Sequence, residues 1–134
     1  MKIAVTLYFW GESLIPAHIT KALKIEPSQS KTKDGVTVTS TNKKVTAKTG
    51  VWGFSSDYGI KSENLGEHIS FLRSKIGNHL NQISSLENVK DSCVDVFIAT
   101  EVEADCEFEL TKENVMALME IGLPVRFTIA RVEK

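Results

Sequence analysis

Cysteine and histidine are scarce in this chain of 134 residues, which has two of the former and three of the latter. Cys93 and Cys106 match no zinc-ligand spacing, so we expect free thiols rather than a disulfide or a metal site. His68 and His79 are eleven residues apart on a predicted helix, which separates them by roughly 16 Å. That distance is too great for a shared metal ion, and we expect no cofactor.

The sequence motifs of common enzyme chemistries are absent as well. No serine stands in a nucleophile elbow, and no cysteine lies close to a histidine in sequence. No glycine-rich phosphate loop and no dinucleotide fingerprint occurs. Carboxylates are abundant, but acid–base catalysis needs two of them in different environments, and a uniform solvated row offers the opposite. We therefore predict that the protein is not an enzyme.

Long apolar runs are also missing, and no segment has the length that a membrane span requires. The apolar N-terminal stretch is brief, contains Thr6 and is not followed by a cleavage site of small residues. It is typical of a first strand, and we expect a cytoplasmic protein with no membrane contact. Hydrophobic residues make up 42% and charged residues 25% of the chain, as in ordinary globular domains. We expect one α+β domain over residues 1–134.

Hydrophobic periodicity predicts the order strand, helix, hairpin, helix, strand, helix, strand. The predicted strands cover residues 2–10, 36–40, 44–54, 92–110 and 125–132, with a loop over 28–35. The predicted helices begin at Pro16, after Asn64 and after Thr111, and Gly122 ends the last one. Gly50 indicates a bulge or a close backbone approach. This order is typical of a mixed, mainly antiparallel sheet covered on one face by about three helices.

One segment stands out by its charge. Between residues 101 and 109 every second residue is an acid, and the intervening residues are small or apolar. This acidic series consists of Glu101, Glu103, Asp105, Glu107 and Glu109. Because side chains alternate between the faces of a strand, an extended segment would place all five carboxylates on one face. No lysine or arginine interrupts them, so the sequence predicts an acidic surface that binds a basic protein partner.

Other interpretations stay open at this point. Charged side chains on an edge strand also discourage pairing with other strands. Calcium binding is disfavoured, because carboxylates two residues apart on a strand lie roughly 6.8 Å from each other. An alternative function is a small-ligand or enzyme pocket near Trp52 and Phe54, and another is a purely structural domain. Lysines between residues 31 and 48 could follow a nucleic acid strand, but the net charge of −1 argues against a nucleic acid partner.

Several short segments of the chain are similar to one known family. They are ITKALKIEP at residues 19–27, TGVW at 49–52, LGEHI at 65–69, FELT at 108–111 and LMEIGL at 118–123. In this order they resemble the bacterial DUF4279 family, a domain of unknown function. The resemblance implies a small α+β bacterial protein and supplies no established catalytic residues.

A more concrete expectation comes from analogy. Small stand-alone bacterial proteins often serve as immunity partners of secreted toxins, so we expect an immunity protein that neutralises a toxin. A nuclease toxin needs a positive cleft for its nucleic acid, which the acidic series would occupy. Duplex DNA carries one charge per about 3.4 Å on each strand, roughly twice the density of the series, so the series would be a loose mimic.

Overall fold

The computed structural model describes residues 1–101 and 105–133. Within these residues the strands are β1 (Lys2–Gly11), β2 (Gln29–Lys31), β3 (Val36–Val38), β4 (Lys44–Thr46), β5 (Gly50–Ser55), β6 (Asp91–Glu101) and β7 (Val125–Val132). The helices are α1 (Pro16–Leu23), α2 (Leu65–Ile76) and α3 (Lys112–Ile121), with 3₁₀ segments at Ser56–Tyr58 and Gly77–Ser85. Five strands form one sheet in the order β2-β5-β1-β6-β7, and β3 pairs with β4 in a separate hairpin. Among the strands of the described residues only the β6-β7 pair is parallel, so the predicted α+β class is confirmed.

The hydrophobic core lies between one face of the sheet and the helices. Alternate residues of the central strand β1, from Ile3 to Phe9, are almost completely buried and face this core. Leu23 of α1 and Leu72 of α2 are completely buried against them. The other side of the sheet, here called the outer face, carries Tyr8 on β1, which is partly exposed. The period of two in β1 therefore separates the core from the outer face.

Local sequence signals define both ends of α3. The Thr111 hydroxyl accepts the Asn114 backbone N–H at 3.1 Å, and the Asn114 side chain accepts the Thr111 backbone N–H at 3.2 Å. This reciprocal pair caps the helix start. Gly122 ends the helix with a left-handed φ of 73°, a conformation that costs glycine little. The predicted bounds of this helix are confirmed.

The second helix is shorter than its apolar pattern indicates. Asn64 caps it by accepting the Glu67 backbone N–H at 3.1 Å. The α-helix stops at Ile76, because Gly77 adopts φ 53° and ψ −128°. Leu80 and Ile83 continue the apolar pattern in the following 3₁₀ segment, where they are half-buried against the core. No helix among the described residues is both long and apolar enough to cross a membrane.

The N-terminal ends of α2 and α3 are held together by one side chain. Asn114 of α3 is buried, and its Nδ2 donates to the Gly66 carbonyl of α2 at 3.3 Å. A Cβ at Gly66 would lie 2.7 Å from Oδ1 of Asn114, so a larger residue would push the helices apart. This contact fixes the two helix starts beside each other.

Two of the predicted elements between α1 and the end of β5 need correction. Part of the predicted loop over 28–35 is the edge strand β2, which pairs with β5 from Gln29 to Lys31. The predicted strand 44–54 is two strands, since β4 pairs with β3 and the chain then enters the main sheet as β5. Gly50 does mark a close approach, because a Cβ there would lie 2.8 Å from the Gly11 carbonyl oxygen.

The predicted strand over 92–110 was wrong for residues 105–110. Strand β6 ends at Glu101, and residues 105–110 have no regular secondary structure. The pairing of β6 with β1 ends at Ala99, and its pairing with β7 ends at Glu101. A strand without a neighbour loses the hydrogen bonds that maintain it. Residues 102–104 lie outside the described part of the chain.

Candidate functional site

The acidic series lies mostly beyond the sheet rather than on a strand. Glu101 is the last residue of β6, and Asp105, Glu107 and Glu109 are exposed in the irregular segment 105–110. Glu103 lies outside the described residues. Phe108 is half-buried against the core, between two exposed carboxylates. The predicted alternation of exposed and core-facing side chains therefore holds from Glu107 to Leu110, although the predicted strand does not.

The irregular segment is anchored to the domain at several points. Phe108 and Leu110 pack against the core. The Cys106 sulfur lies 2.9 Å from Oγ1 of Thr100 in a hydrogen bond. Cys106 itself is exposed, so it does not lie on a buried apolar side of the segment. These contacts hold the backbone that carries Glu107 and Glu109 in place.

The carboxylates of this segment are not paired with cationic groups within the described part of the chain. Asp105, Glu107 and Glu109 form no ion pair with any described residue. Ion pairs elsewhere join Lys2 to Asp57, Lys33 to Glu12, Arg73 to Glu120, and the N-terminal amine to Glu63. Glu107 and Glu109 line a cavity of about 250 Å³ together with Glu63 and Asn114. This cavity lies where α2 and α3 begin, and the positive partial charge of helix N-termini stabilises nearby carboxylates.

A buried serine–histidine pair lies in the same half of the molecule. The Ser56 hydroxyl is 2.6 Å from Nδ1 of His68, and Nε2 of His68 is 2.8 Å from the Ser62 carbonyl oxygen. Because a carbonyl oxygen only accepts, Nε2 of His68 carries a proton, and with Nδ1 unprotonated the Ser56 hydroxyl is the donor to it. The Val5 backbone N–H donates to the same hydroxyl oxygen at 2.9 Å.

A hydroxyl that donates to an imidazole is the arrangement that activates serine nucleophiles. Here, however, Ser56 is 0% and His68 is 1% exposed. The adjoining cavity of about 470 Å³ is lined by His68 and Asp57 but not by Ser56. No substrate atom can contact the hydroxyl in this arrangement, and the pair connects β1, the turn after β5 and α2. His68 is therefore a buried, hydrogen-bonded helix residue and not a solvated one.

Trp52 and Phe54, the residues of the alternative pocket, are core residues. Trp52 is completely buried, and its indole N–H donates to Oγ1 of Thr20 at 3.0 Å. Phe54 is 8% exposed and stacks on Phe71 of α2. A ligand would have to displace the core to reach Trp52, so the structure places no open pocket wall there. Ligand binding as a function stays a prediction.

The outer face carries a polar and aromatic cluster that sequence reasoning missed. The rings of Tyr8 and Trp10 stack with centroids 5.0 Å apart, and the Arg126 guanidinium lies 5.7 Å from the Trp10 centroid. Gln29 donates from Nε2 to the Tyr8 hydroxyl at 2.7 Å. The i, i+2 spacing of the two aromatics is a local signal on β1. Their partners come from the two edge strands, which only the sheet order brings near.

Burial raises the pKa of several titratable groups on this outer face. Desolvation raises the pKa of Asp95, and the Arg126 guanidinium acts in the opposite direction. Desolvation also raises the pKa of the Cys93 thiol, again opposed by Arg126. The pKa of Tyr8 is raised by burial and lowered by its hydrogen bond with Gln29. Within this cluster the exposed Arg126 guanidinium partly compensates the Asp95 carboxylate.

One family model matches nearly the whole chain. It is described as a domain of unknown function, DUF4279, and it matches residues 1–131. No curated protein and no solved structure is significantly similar to the chain. Within the described residues, no three side chains of histidine, cysteine, aspartate or glutamate form a group that could hold a metal ion.

Proposed function

The chain belongs to the DUF4279 family, a domain of unknown function, and we propose that it is a protein-interaction module that binds a basic protein through its acidic series. The observation that supports this proposal is the uncompensated charge of Asp105, Glu107 and Glu109. All three are exposed, and none forms an ion pair within the described residues. Their charge is therefore available to a partner.

Anchoring of the segment adds to this argument. Phe108 and Leu110 pack against the core next to the exposed carboxylates. An ordered loop loses less conformational entropy on binding than a free one, so more of the interaction energy goes into affinity. Glu107 and Glu109 are thus presented on a backbone that is already in place.

The expected contribution of these charges is mainly to the association rate and to the choice of partner. Complementary charges raise association rate constants, and the effect decreases as salt screens the charges. Complex formation should therefore slow markedly as the ionic strength increases.

In its most concrete form, the proposal is an immunity protein that neutralises a bacterial toxin in the cytoplasm. A toxin that cleaves nucleic acid has a cleft complementary to phosphates. An anchored segment with several uncompensated carboxylates has the charge to occupy such a cleft. The alternative, a purely structural domain, would leave these carboxylates in solvent without a partner.

The test is co-purification of the tagged protein with the polypeptide encoded next to it in its genome. Glu107→Lys with Glu109→Lys reverses two charges of the series. Glu26→Lys with Glu87→Lys is the matched control, because both of these acids are exposed and lie outside the series. We expect the complex to be lost with the first double variant and retained with the control.

Two results would count against the proposal. A complex that both double variants retain would show that the series does not bind the partner. A wild-type protein that captures no neighbouring polypeptide and does not reduce its toxicity would overturn the immunity function. Circular dichroism on each variant should show an unchanged fold, since the substituted side chains are exposed.

A further inference from the structure

In the part of the chain that the structure describes, the sheet has one long open edge, at β7. This strand of 8 residues pairs with β6 on one side only, and in the described residues it is the last strand of the sheet. It contains no proline, which would block pairing with another strand. An open edge of this length is a template for pairing with a further strand.

The apolar side chains of this edge are exposed. Phe127 is 52% and Ile129 is 56% exposed, and both point to the helix side of the sheet. On α3, Val115 and Met119 are 42% and 73% exposed. A groove of about 310 Å³ runs between helix and strand and is lined by Val115, Met119 and Phe127 among others. The open edge and the apolar surface are therefore continuous.

The register shows which backbone groups are available for pairing. Val94 of β6 lies opposite Val125, and its N–H donates to the Pro124 carbonyl at 2.8 Å. In a parallel pair, alternate residues direct both backbone groups to the neighbour, so Arg126 and Thr128 point toward β6. Phe127 and Ile129 consequently direct their N–H and C=O groups away from the sheet. The exposed apolar residues also carry the outward hydrogen-bonding groups.

We propose that this edge is a homodimer interface, in which two copies of the chain pair their β7 strands antiparallel about a two-fold axis at Thr128. In this register Phe127 lies opposite the partner's Ile129, and the symmetry forms this apolar pair twice. Arg126 then lies opposite the partner's Ala130, so no like charges face each other across the strands. A shift of this pairing register by one residue would place Arg126 opposite the partner's Arg131. It would also put the apolar side chains of the two strands on opposite faces of the joined sheet.

The exposed apolar area at this edge is close to what a dimer interface with a second copy of the chain requires. With roughly 150–200 Å² for a large side chain, the exposed parts of Val115, Met119, Phe127 and Ile129 amount to about 400 Å². A standard interface buries about 800 Å² per partner, of which somewhat more than half is apolar. The four side chains thus supply most of the apolar area that a stable dimer needs, and the backbone edge and neighbouring polar groups supply the remainder. The two α3 helices would lie on the same side of the joined sheet.

The first test is the mass of the full chain in solution by light scattering, at concentrations up to about 100 µM, where a micromolar dimer would be populated. We expect twice the monomer mass of 14.9 kDa. Phe127→Lys with Ile129→Lys should give a folded monomer. Val36→Lys with Val38→Lys on the separate hairpin is the matched control, since both valines are exposed to a similar degree, at 60% and 56%, and the change in charge is equal.

The second test measures the register and does not depend on a disruptive variant. In a background with Cys93→Ala and Cys106→Ser, a single Thr128→Cys lies beside its own copy at the axis, in a non-hydrogen-bonded pair whose Cα atoms are about 4.5 Å apart. That spacing permits a disulfide, so mild oxidation should give a covalent dimer. Val36→Cys in the same background should stay monomeric.

The proposal is overturned by a wild-type chain that stays monomeric, which would leave the edge to a strand of a different protein. A dimer that survives the Phe127 and Ile129 substitutions, or one that Thr128→Cys does not link, would also overturn it. The inference does not rest on the proposed function, because reversal of Glu107 and Glu109 should leave the dimer unchanged.

Discussion

The Ser56 hydroxyl donates to Nδ1 of His68 at 2.6 Å, and neither side chain is open to solvent. Ser56 also accepts the Val5 backbone N–H, and His68 donates to the Ser62 carbonyl. Every polar group of this network has a partner, which is what makes a buried polar network compatible with a stable core. It joins the central strand to α2 through the turn that follows β5.

Removal of the Ser56 hydroxyl should therefore destabilise the protein. Ser56→Ala leaves the buried Val5 N–H without its acceptor, and an unsatisfied buried group costs roughly 1–3 kcal/mol. Urea unfolding monitored by tryptophan fluorescence measures this loss. Ser70→Ala on the exposed side of α2 is the control and should stay within about 0.5 kcal/mol of wild type. Equal stability of the two variants would contradict a structural role for the pair.

Trp52 should contribute more to stability than any exposed aromatic residue. Trp52→Ala removes a completely buried ring and the donor to Thr20, and such truncations cost roughly 3–5 kcal/mol. Tyr58→Ala, at a side chain that is 74% exposed, should have little effect. The midpoints of denaturant unfolding distinguish the two. A Trp52→Ala protein as stable as wild type would show that the ring is not part of the core.

The two thiols should differ sharply in reactivity. Cys106 is exposed, whereas Cys93 is buried, and desolvation raises the pKa of the Cys93 thiol. A raised pKa lowers the thiolate fraction at pH 8, and only the thiolate reacts with a disulfide reagent. The native protein should thus show one fast thiol, which Cys106→Ser removes and Cys93→Ala retains. Two fast thiols in the folded protein would contradict this placement of Cys93.

Asp95 should make stability depend on pH. Burial raises the pKa of Asp95 in the folded state, so folding favours the protonated carboxyl. The folded protein is therefore most stable with respect to this group below the usual pKa of 3.8, where the carboxyl is protonated in both states. This stability is lost as the pH rises through the pKa of the folded state. Asp95→Asn should therefore be more stable than wild type at pH 7, by a few tenths of a kcal/mol after solvent screening, and the gain should disappear below pH 3.8.

Thermal unfolding of both proteins across this pH range measures the difference. Glu26→Gln, at an exposed acid away from the sheet, is the control and should follow the wild-type curve. A gain in Asp95→Asn that increased toward low pH would have the wrong sign. Such a result would mean that the carboxylate stabilises the fold through Arg126 more than its burial destabilises it.

Elements with local signals could be predicted closely from the sequence. The start of α3 follows from the Thr111 and Asn114 pair, and its end follows from Gly122. The first strand was likewise predicted to within one residue of its observed end at Gly11. These signals act between residues a few positions apart, so they do not require knowledge of the neighbouring strands.

The functional surfaces depended more on the sheet order. The pattern of residues 101–109 predicts a strand to Leu110, but β6 stops at Glu101, where β1 and β7 no longer pair with it. Trp52 is an aromatic residue of the kind that lines ligand pockets. Its register with β1 places it opposite Phe9, on the face of the sheet that forms the core. In both cases the neighbouring strands, and not the local pattern, decided the outcome.

The sequence by itself determined the α+β class, the two ends of α3 and the alternation of acidic and apolar residues near the end of β6. These properties follow from backbone preferences and side-chain periodicity over short distances. Only the tertiary structure decided where strands stop, which face is covered, and that Ser56 meets His68. Those features depend on hydrogen bonds and packing between segments far apart in the chain. The same holds for Phe127 and Ile129, whose exposure follows from the position of β7 at the edge of the sheet.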